Sequence, residues 1–329
     1  MLQKNKTRKS KSASQRQKRR CRCKKKAGIK GIWIDYCFLM WYNVQILGGN
    51  VMQANIKIST EIGSISKIVG EERAIELIAK AGFDAWDFSM FSMCKDNSHP
   101  LTGKDYLKFA RRLRQIGVDN GIVCNQSHAP FPVREPQIRA HLKRAIECTA
   151  EAGGEICIIH PDNNKNSEEN AEMYLELLPF AKECGVKIAT ENMWNWDKEK
   201  GHSSFAACAT PKSFCEHIDI VGSEWLVACL DIGHAEMKGS DTTAVEMIHA
   251  LGSRLQALHI HDNDKLHDSH QIPFSMDIDF KAIAIALKEI DYRGYFTLEA
   301  DRFLTEYTEE NVFNGIEQLA ASARRFAEI

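Results

Sequence analysis

From Ala54 onward, short β-branched or apolar runs alternate with segments whose apolar residues recur at three- and four-residue spacing. The runs NIKIST, AWDFSM, GIVCNQSH, EICIIHP, KIATEN, LVACLDIGH, LQALHIHD and YFTLEAD read as eight strands. Between them, ERAIELIAKAG, YLKFARRLRQIG, QIRAHLKRAIECTAEAGG, MYLELLPFAKECG and FKAIAIALKEI read as amphipathic helices, with Gly82, Gly117, Gly153 and Gly185 expected at their C-caps. Strands and helices in strict alternation predict an α/β fold with a parallel sheet. Eight βα units over about 250 residues match a single-domain (β/α)8 TIM barrel.

Each predicted strand begins apolar and ends in a residue able to do chemistry. His128 closes the third, His160 the fourth, Glu191 the fifth, Asp231 with His234 the sixth, His259 with His261 the seventh, and Glu299 the eighth. Strand C-termini converge on one mouth in this fold, so these residues are expected around a single cavity.

Composition changes the picture mainly at the N-terminus. Residues 1–51 carry 14 Lys/Arg and one acid, Asp35, which leaves 29 bases against 43 acids in residues 52–329. The body is therefore strongly acidic, which argues against nucleic acid as its usual partner. The run MLQKNKTRKSKSASQRQKRRCRCKKK is too charged and too poor in apolar residues to fold, so disorder is expected there. The sixteen residues IWIDYCFLMWYNVQIL are interrupted by Asp35 and Asn43 and are short for a membrane span, and no small-residue cleavage site follows them. A simpler expectation is a natural start at Met52, with Leu47-Gly48-Gly49-Asn50 a translated ribosome-binding site and 1–51 a mis-called extension. Cys124, Cys157, Cys184 and Cys229 sit inside apolar patterns and read as reduced core thiols, pointing to the cytoplasm. Cys21 and Cys23 are too close together for a zinc knuckle.

Glu191, Asp231, His261 and Glu299 come from four successive strands and supply three carboxylates and one imidazole. That set suits a divalent metal such as Mn, Mg, Co or Zn. The competing reading, ion pairs at the barrel rim, lacks basic partners at the strand ends. His128, His160, His234, Asp268 and His270 are candidates for substrate contact or additional metal, so more than one ion is allowed. His259 and His261 alternate with Ile260 and should share a strand face, although only one need bind metal. Asp262 and Asp264 are expected to support the ligands or remain solvated. Trp194 and Trp196 follow Glu191 closely, either as rim packing or as a wall that stacks on sugar and excludes water. Arg134, Lys265 and Arg302 are the bases available for a substrate phosphate.

The strand-end motifs QSHAPF, IIHP, ATEN, CLDIGH, LHIHDND with the later DSH, and TLEAD resemble those of the xylose isomerase-like TIM-barrel superfamily, in the same order, over about residues 54–325. This superfamily holds sugar-phosphate isomerases/epimerases, ketose 3-epimerases, inosose dehydratases and endonuclease IV. The resemblance implies a metal tetrad on Glu191, Asp231, His261 and Glu299, with His234 touching substrate or a further metal. It also implies proton exchange by Glu191 and Glu299 with a sugar or sugar phosphate, through a metal-stabilised enediolate. The expected partner is thus a small sugar, with no nucleic acid and no membrane, and a homo-oligomer is allowed.

The nine residues His128, His160, Glu191, Asp231, His234, His261, Asp268, His270 and Glu299 also resemble the three-zinc ligand set of endonuclease IV. An endonuclease IV-like zinc phosphodiesterase acting on abasic DNA is therefore the main alternative. The acidic body, the stretch ATENMWNWD without its glycines and the short His261–Asp268 loop weigh against it. An inosose dehydratase-like lyase would share the first proton abstraction. A non-enzymatic sensor would be expected to carry a broken tetrad.

Overall fold

The structure, a computed structural model, describes residues 56–329. Ten strands are present among them: β1 (Ile58–Glu61), β2 (Ala85–Ser89), β3 (Val123–His128), β4 (Ile156–Ile158), β5 (Lys187–Glu191), β6 (Asn195–Asp197), β7 (His202–Ser204), β8 (Leu226–Asp231), β9 (Leu255–His259) and β10 (Phe296–Leu298). Eight of them form one parallel sheet in the order β10-β1-β2-β3-β4-β5-β8-β9. The ring closes between β9 and β10 at the Ile260–Leu298 bridge, where Ile260 N donates to Thr297 O at 3.0 Å and Glu299 N to Ile260 O at 2.9 Å. A TIM barrel is what the alternation predicted.

Period-two alternation sorts the strand residues between two environments. Leu226, Ala228 and Leu230 of β8, Ile188 of β5, and Trp86 and Phe88 of β2 belong to the large apolar core under the helices, with Tyr174, Phe214, Phe280 and Phe326. Val227, Cys229, Ile158, Ala189 and Ala257 form a second, small apolar cluster. The remaining inward positions are polar: Ser59, Asp87, Asn125, Gln126 and Thr297 are all buried and bonded to one another in a chain. The barrel interior therefore offers a polar column beneath the mouth.

The helices follow the apolar spacing, with differences at their ends. Ser167–Cys184 opens on a capping box in which Asn166 accepts from Glu169 N, and closes at Gly185 with φ +70°. Gly153 caps Leu142–Ala152 in the same left-handed way, at φ +89°. Gly117, expected as a C-cap, instead lies inside the helix Tyr106–Asp119. A Cβ there would come within 3.0 Å of both Trp86 Nε1 and Ile122 O, so this glycine allows close helix–strand packing. The predicted strand LVACLDIGH also stops early. At Asp231 the chain turns into the short helix Ile232–Glu236, with the Asp231 carboxylate accepting from His234 N at 2.7 Å.

Candidate metal centre

The mouth residues arrive from separate strands and are almost all buried: Glu191, Asp231, His259 and His261 are at most 1% exposed, and Glu299 is 8% exposed. One oxygen or nitrogen each from Glu191, Asp231, His259 and Glu299 can be chosen to lie within 4.8 Å of one another. The three expected carboxylates thus come together, but the imidazole among them is that of His259. His261 groups instead with His234, Asp268 and His270, and its Nε2 is 3.1 Å from Asp231 Oδ1, which links the two groups. His128 and His160 form a third group with Glu191, with Nε2 atoms 2.7 Å apart and His160 Nε2 3.2 Å from Glu191 Oε2.

Local chain geometry orients these rings. His234 Nδ1 donates to the Asn192 carbonyl at 2.9 Å, leaving Nε2 3.6 Å from Asp268 Oδ1. His270 Nδ1 donates to the Glu299 carbonyl at 2.7 Å, leaving Nε2 3.1 Å from Asp268 Oδ2. Fixing one ring nitrogen on the backbone so that the other is presented is how imidazole ligands are usually held. The His261 ring stacks on His270 with centroids 4.0 Å apart, and it lies against the backbone of Gly233, where any Cβ would fall 1.9 Å from its Cε1.

Charge is unevenly shared. Burial raises the Glu191 carboxyl, but His259 and His160 outweigh burial and hold it well below the ordinary range. Burial likewise opposes ionisation of Asp231, which His234 and His261 nonetheless keep low. At Glu299 burial wins, and that carboxyl lies well above its ordinary value despite His259 and His270. Burial disfavours the charged form of His270, yet Asp268 pushes it up to about 10. Burial, with His160 and His259, holds His128 well below its usual range.

Glu191 Oε2, Asp231 Oδ2, Asp268 Oδ1 and Asp301 Oδ1 are buried without a hydrogen-bond donor. A divalent cation would satisfy such oxygens, and the surrounding oxygen and imidazole donors suit one, so the residues present fit a metal.

The groups open on a cavity of about 470 Å³ whose lining includes His128, His160, Glu191, His234, Asp268, His270 and Glu299. Trp194 is on its wall, as the sequence suggested, with Phe91, Phe131 and Met193, which it did not. Trp196 does not line it; that ring is 40% exposed and stacks on His267. Of the candidate phosphate bases, Arg134 and Arg302 border the cavity, whereas Lys265 pairs with Glu236 at 3.1 Å. Asp262 does not line the cavity: it is buried and accepts from Asn263 N, Met276 N and Ile278 N, pinning the loop that bears Asp268 and His270. Asp301 also lines the cavity, 3.2 Å from His270 Nδ1; its only sequence signal was its place at the end of TLEAD.

Comparison with known proteins agrees with this architecture. A family model described as a xylose isomerase-like TIM barrel matches residues 75–326. An uncharacterized protein of Methanocaldococcus jannaschii, MJ1311, is 30% identical over 245 residues, covering 69% of this chain and 78% of the relative. Among solved structures, the IOLI protein with a bound zinc atom superposes with a TM-score of 0.64 at 18% identity, covering 83% of this chain and 98% of that one. A D-allulose 3-epimerase from Methylomonas sp. gives a TM-score of 0.60 at 17% identity, covering 83% and 96%. Among the described residues no helix is long and apolar enough to cross a membrane.

Proposed function

The chain belongs to the xylose isomerase-like TIM-barrel family, and from that premise we propose that it is a divalent-metal-dependent isomerase or epimerase of a sugar or sugar phosphate. One observation carries the reading: Glu191 and Glu299, from different strands, open on one cavity and converge on a common buried point, each with an oxygen within 3.2 Å of His259 Nδ1. Two carboxylates so placed can serve the two faces of one carbon. The epimerase and zinc-bearing structural neighbours point the same way.

Glu191, Asp231, His261 and Glu299 would hold the metal, which would supply Lewis-acid polarisation of a carbonyl and its neighbouring hydroxyl. His261 is preferred to His259 as the imidazole ligand because it follows two residues later, past the end of β9, and its Nε2 bridges Asp231 to Asp268 of the outer group. One glutamate removes the proton beside the carbonyl and the other returns it; return to the opposite face inverts the carbon. Without metal, His259 and His160 hold the Glu191 carboxyl low, while burial keeps that of Glu299 high. Trp194, Phe91 and Phe131 exclude water from the reacting carbon.

The test is solvent deuterium exchange into a panel of ketoses and ketose phosphates by the Mn²⁺- or Co²⁺-loaded protein. Exchange at one carbon is expected with the wild type and none above background with Glu299→Gln. Full exchange by that variant would remove Glu299 from proton transfer. A second reading, metal-assisted phosphodiester cleavage, is supported by the additional group His234, His261, Asp268 and His270 beside the first. Cleavage of abasic-site DNA above a metal-free control would favour it.

A further inference from the structure

We propose that His259, anchored from below by Asp87, is a positioning residue that sets the spacing and orientation of Glu191 and Glu299. The inference rests on the reading of those glutamates as metal ligands and proton carriers, and it concerns a side chain for which that reading has no use.

His259 is fully buried and does not line the cavity, so it cannot touch substrate there. Its Nδ1 lies 3.2 Å from Glu191 Oε2 and 3.1 Å from Glu299 Oε2, between the two carboxylates. Its Nε2 is 3.5 Å from Asp87 Oδ2. Asp87, also fully buried, accepts from Gln126 Nε2 at 2.8 Å. The Gln126 amide has one orientation available, because its Oε1 accepts from Asn125 Nδ2 at 3.2 Å and from Thr297 Oγ1 at 3.3 Å. Asn125 in turn accepts from Ser59 Oγ at 2.6 Å. The ring therefore stands on a column of side chains from β1, β2, β3 and β10, and one face stacks on His128 at 5.0 Å.

Neither nitrogen of His259 makes an aligned hydrogen bond within this frame. A buried imidazole left so calls for an explanation. A ring held at ion-pair distance from two carboxylates, with a third carboxylate behind it, is tolerated where the glutamates must be kept at a fixed separation. Such support behind ligating carboxylates typically contributes 10–100-fold to metal affinity.

The experiment titrates Co²⁺ into the full chain, reading affinity and the visible absorption of the bound ion, with the melting temperature of the metal-free protein as the fold control. His259→Ala is expected to weaken Co²⁺ binding roughly 10–100-fold and to alter the spectrum. His259→Asn keeps a donor near the Nδ1 position and is expected to recover affinity to within about threefold of wild type, a rescue that simple packing would not produce. Wild-type affinity and spectrum in His259→Ala overturn the proposal, as do equal losses in the Ala and Asn variants. If His259→Ala does not fold, Asp87→Asn, which preserves volume, decides: an affinity loss of at least about threefold supports the anchor, and none overturns it. Loss of a nitrogen ligand from the Co²⁺ X-ray absorption of His259→Asn would make His259 a ligand itself and also overturn it. Failure of the wild type to bind Co²⁺ would instead remove the metal reading, and this inference with it.

Discussion

Replacing Gly233 with Ala tests the metal centre through a residue that is neither a ligand nor a base. Its added Cβ would lie 1.9 Å from Cε1, 2.4 Å from Nε2 and 2.6 Å from Nδ1 of His261. Ordinary contact begins near 3.4 Å, so the ring must retreat by about 1.5 Å. It has little room to do so, being fully buried and stacked at 4.0 Å on His270. Metal–ligand distances tolerate only about 0.2 Å, so the displaced nitrogen no longer serves the ion. The loss should reach at least the roughly 100-fold at the upper end for an outer partner, or about 2.7 kcal/mol of binding free energy. Folding should suffer less. Overpacking costs about 1–3 kcal/mol, and the gain of Ala over Gly in a helix returns up to about 1 kcal/mol. Calorimetric titration with Co²⁺ and thermal melts of the metal-free protein separate the two effects. Wild-type affinity in Gly233→Ala would refute the placement of His261 among the ligands.

Phe214→Ala, in the core under the helices, should lose about 3–5 kcal/mol and on the order of 6–20 °C in melting temperature. Arg254→Ala removes only the exposed pair with Asp219 and should lose no more than about 1 kcal/mol in urea unfolding. Burial and the Glu147 carboxylate push the Tyr106 hydroxyl up to about 12. Because this folded value exceeds the unfolded one of about 10, its stabilising contribution is whole below about pH 10 and declines as pH rises toward about 12. The urea-midpoint gap between wild type and Tyr106→Phe should thus hold from neutrality to about pH 10 and narrow above it; a gap that widened there would contradict the assignment.

The barrel was legible because its signals are local. Apolar spacing and the glycines at 153 and 185 each act within a few residues. Gly117 misled because its glycine serves a contact with Trp86 some thirty positions away, which helix periodicity does not encode. His234 looked like the end of a strand, yet the Asp231 carboxylate caps a helix start and carries His234 into the outer group.

What the residue order determined by itself is the fold and most of the chemical groups at the mouth, since alternation fixes which strand positions face inward. The expectations for residues 1–51 lie outside the described residues. Tertiary structure alone decided the partners: that His259 rather than His261 stands between Glu191 and Glu299, that Trp194 and not Trp196 walls the cavity, and that Asp262 holds a loop. Period two places His259 and His261 on one face but is silent on depth. Depth depends on the stagger of neighbouring strands around a closed ring, which no single strand's sequence contains.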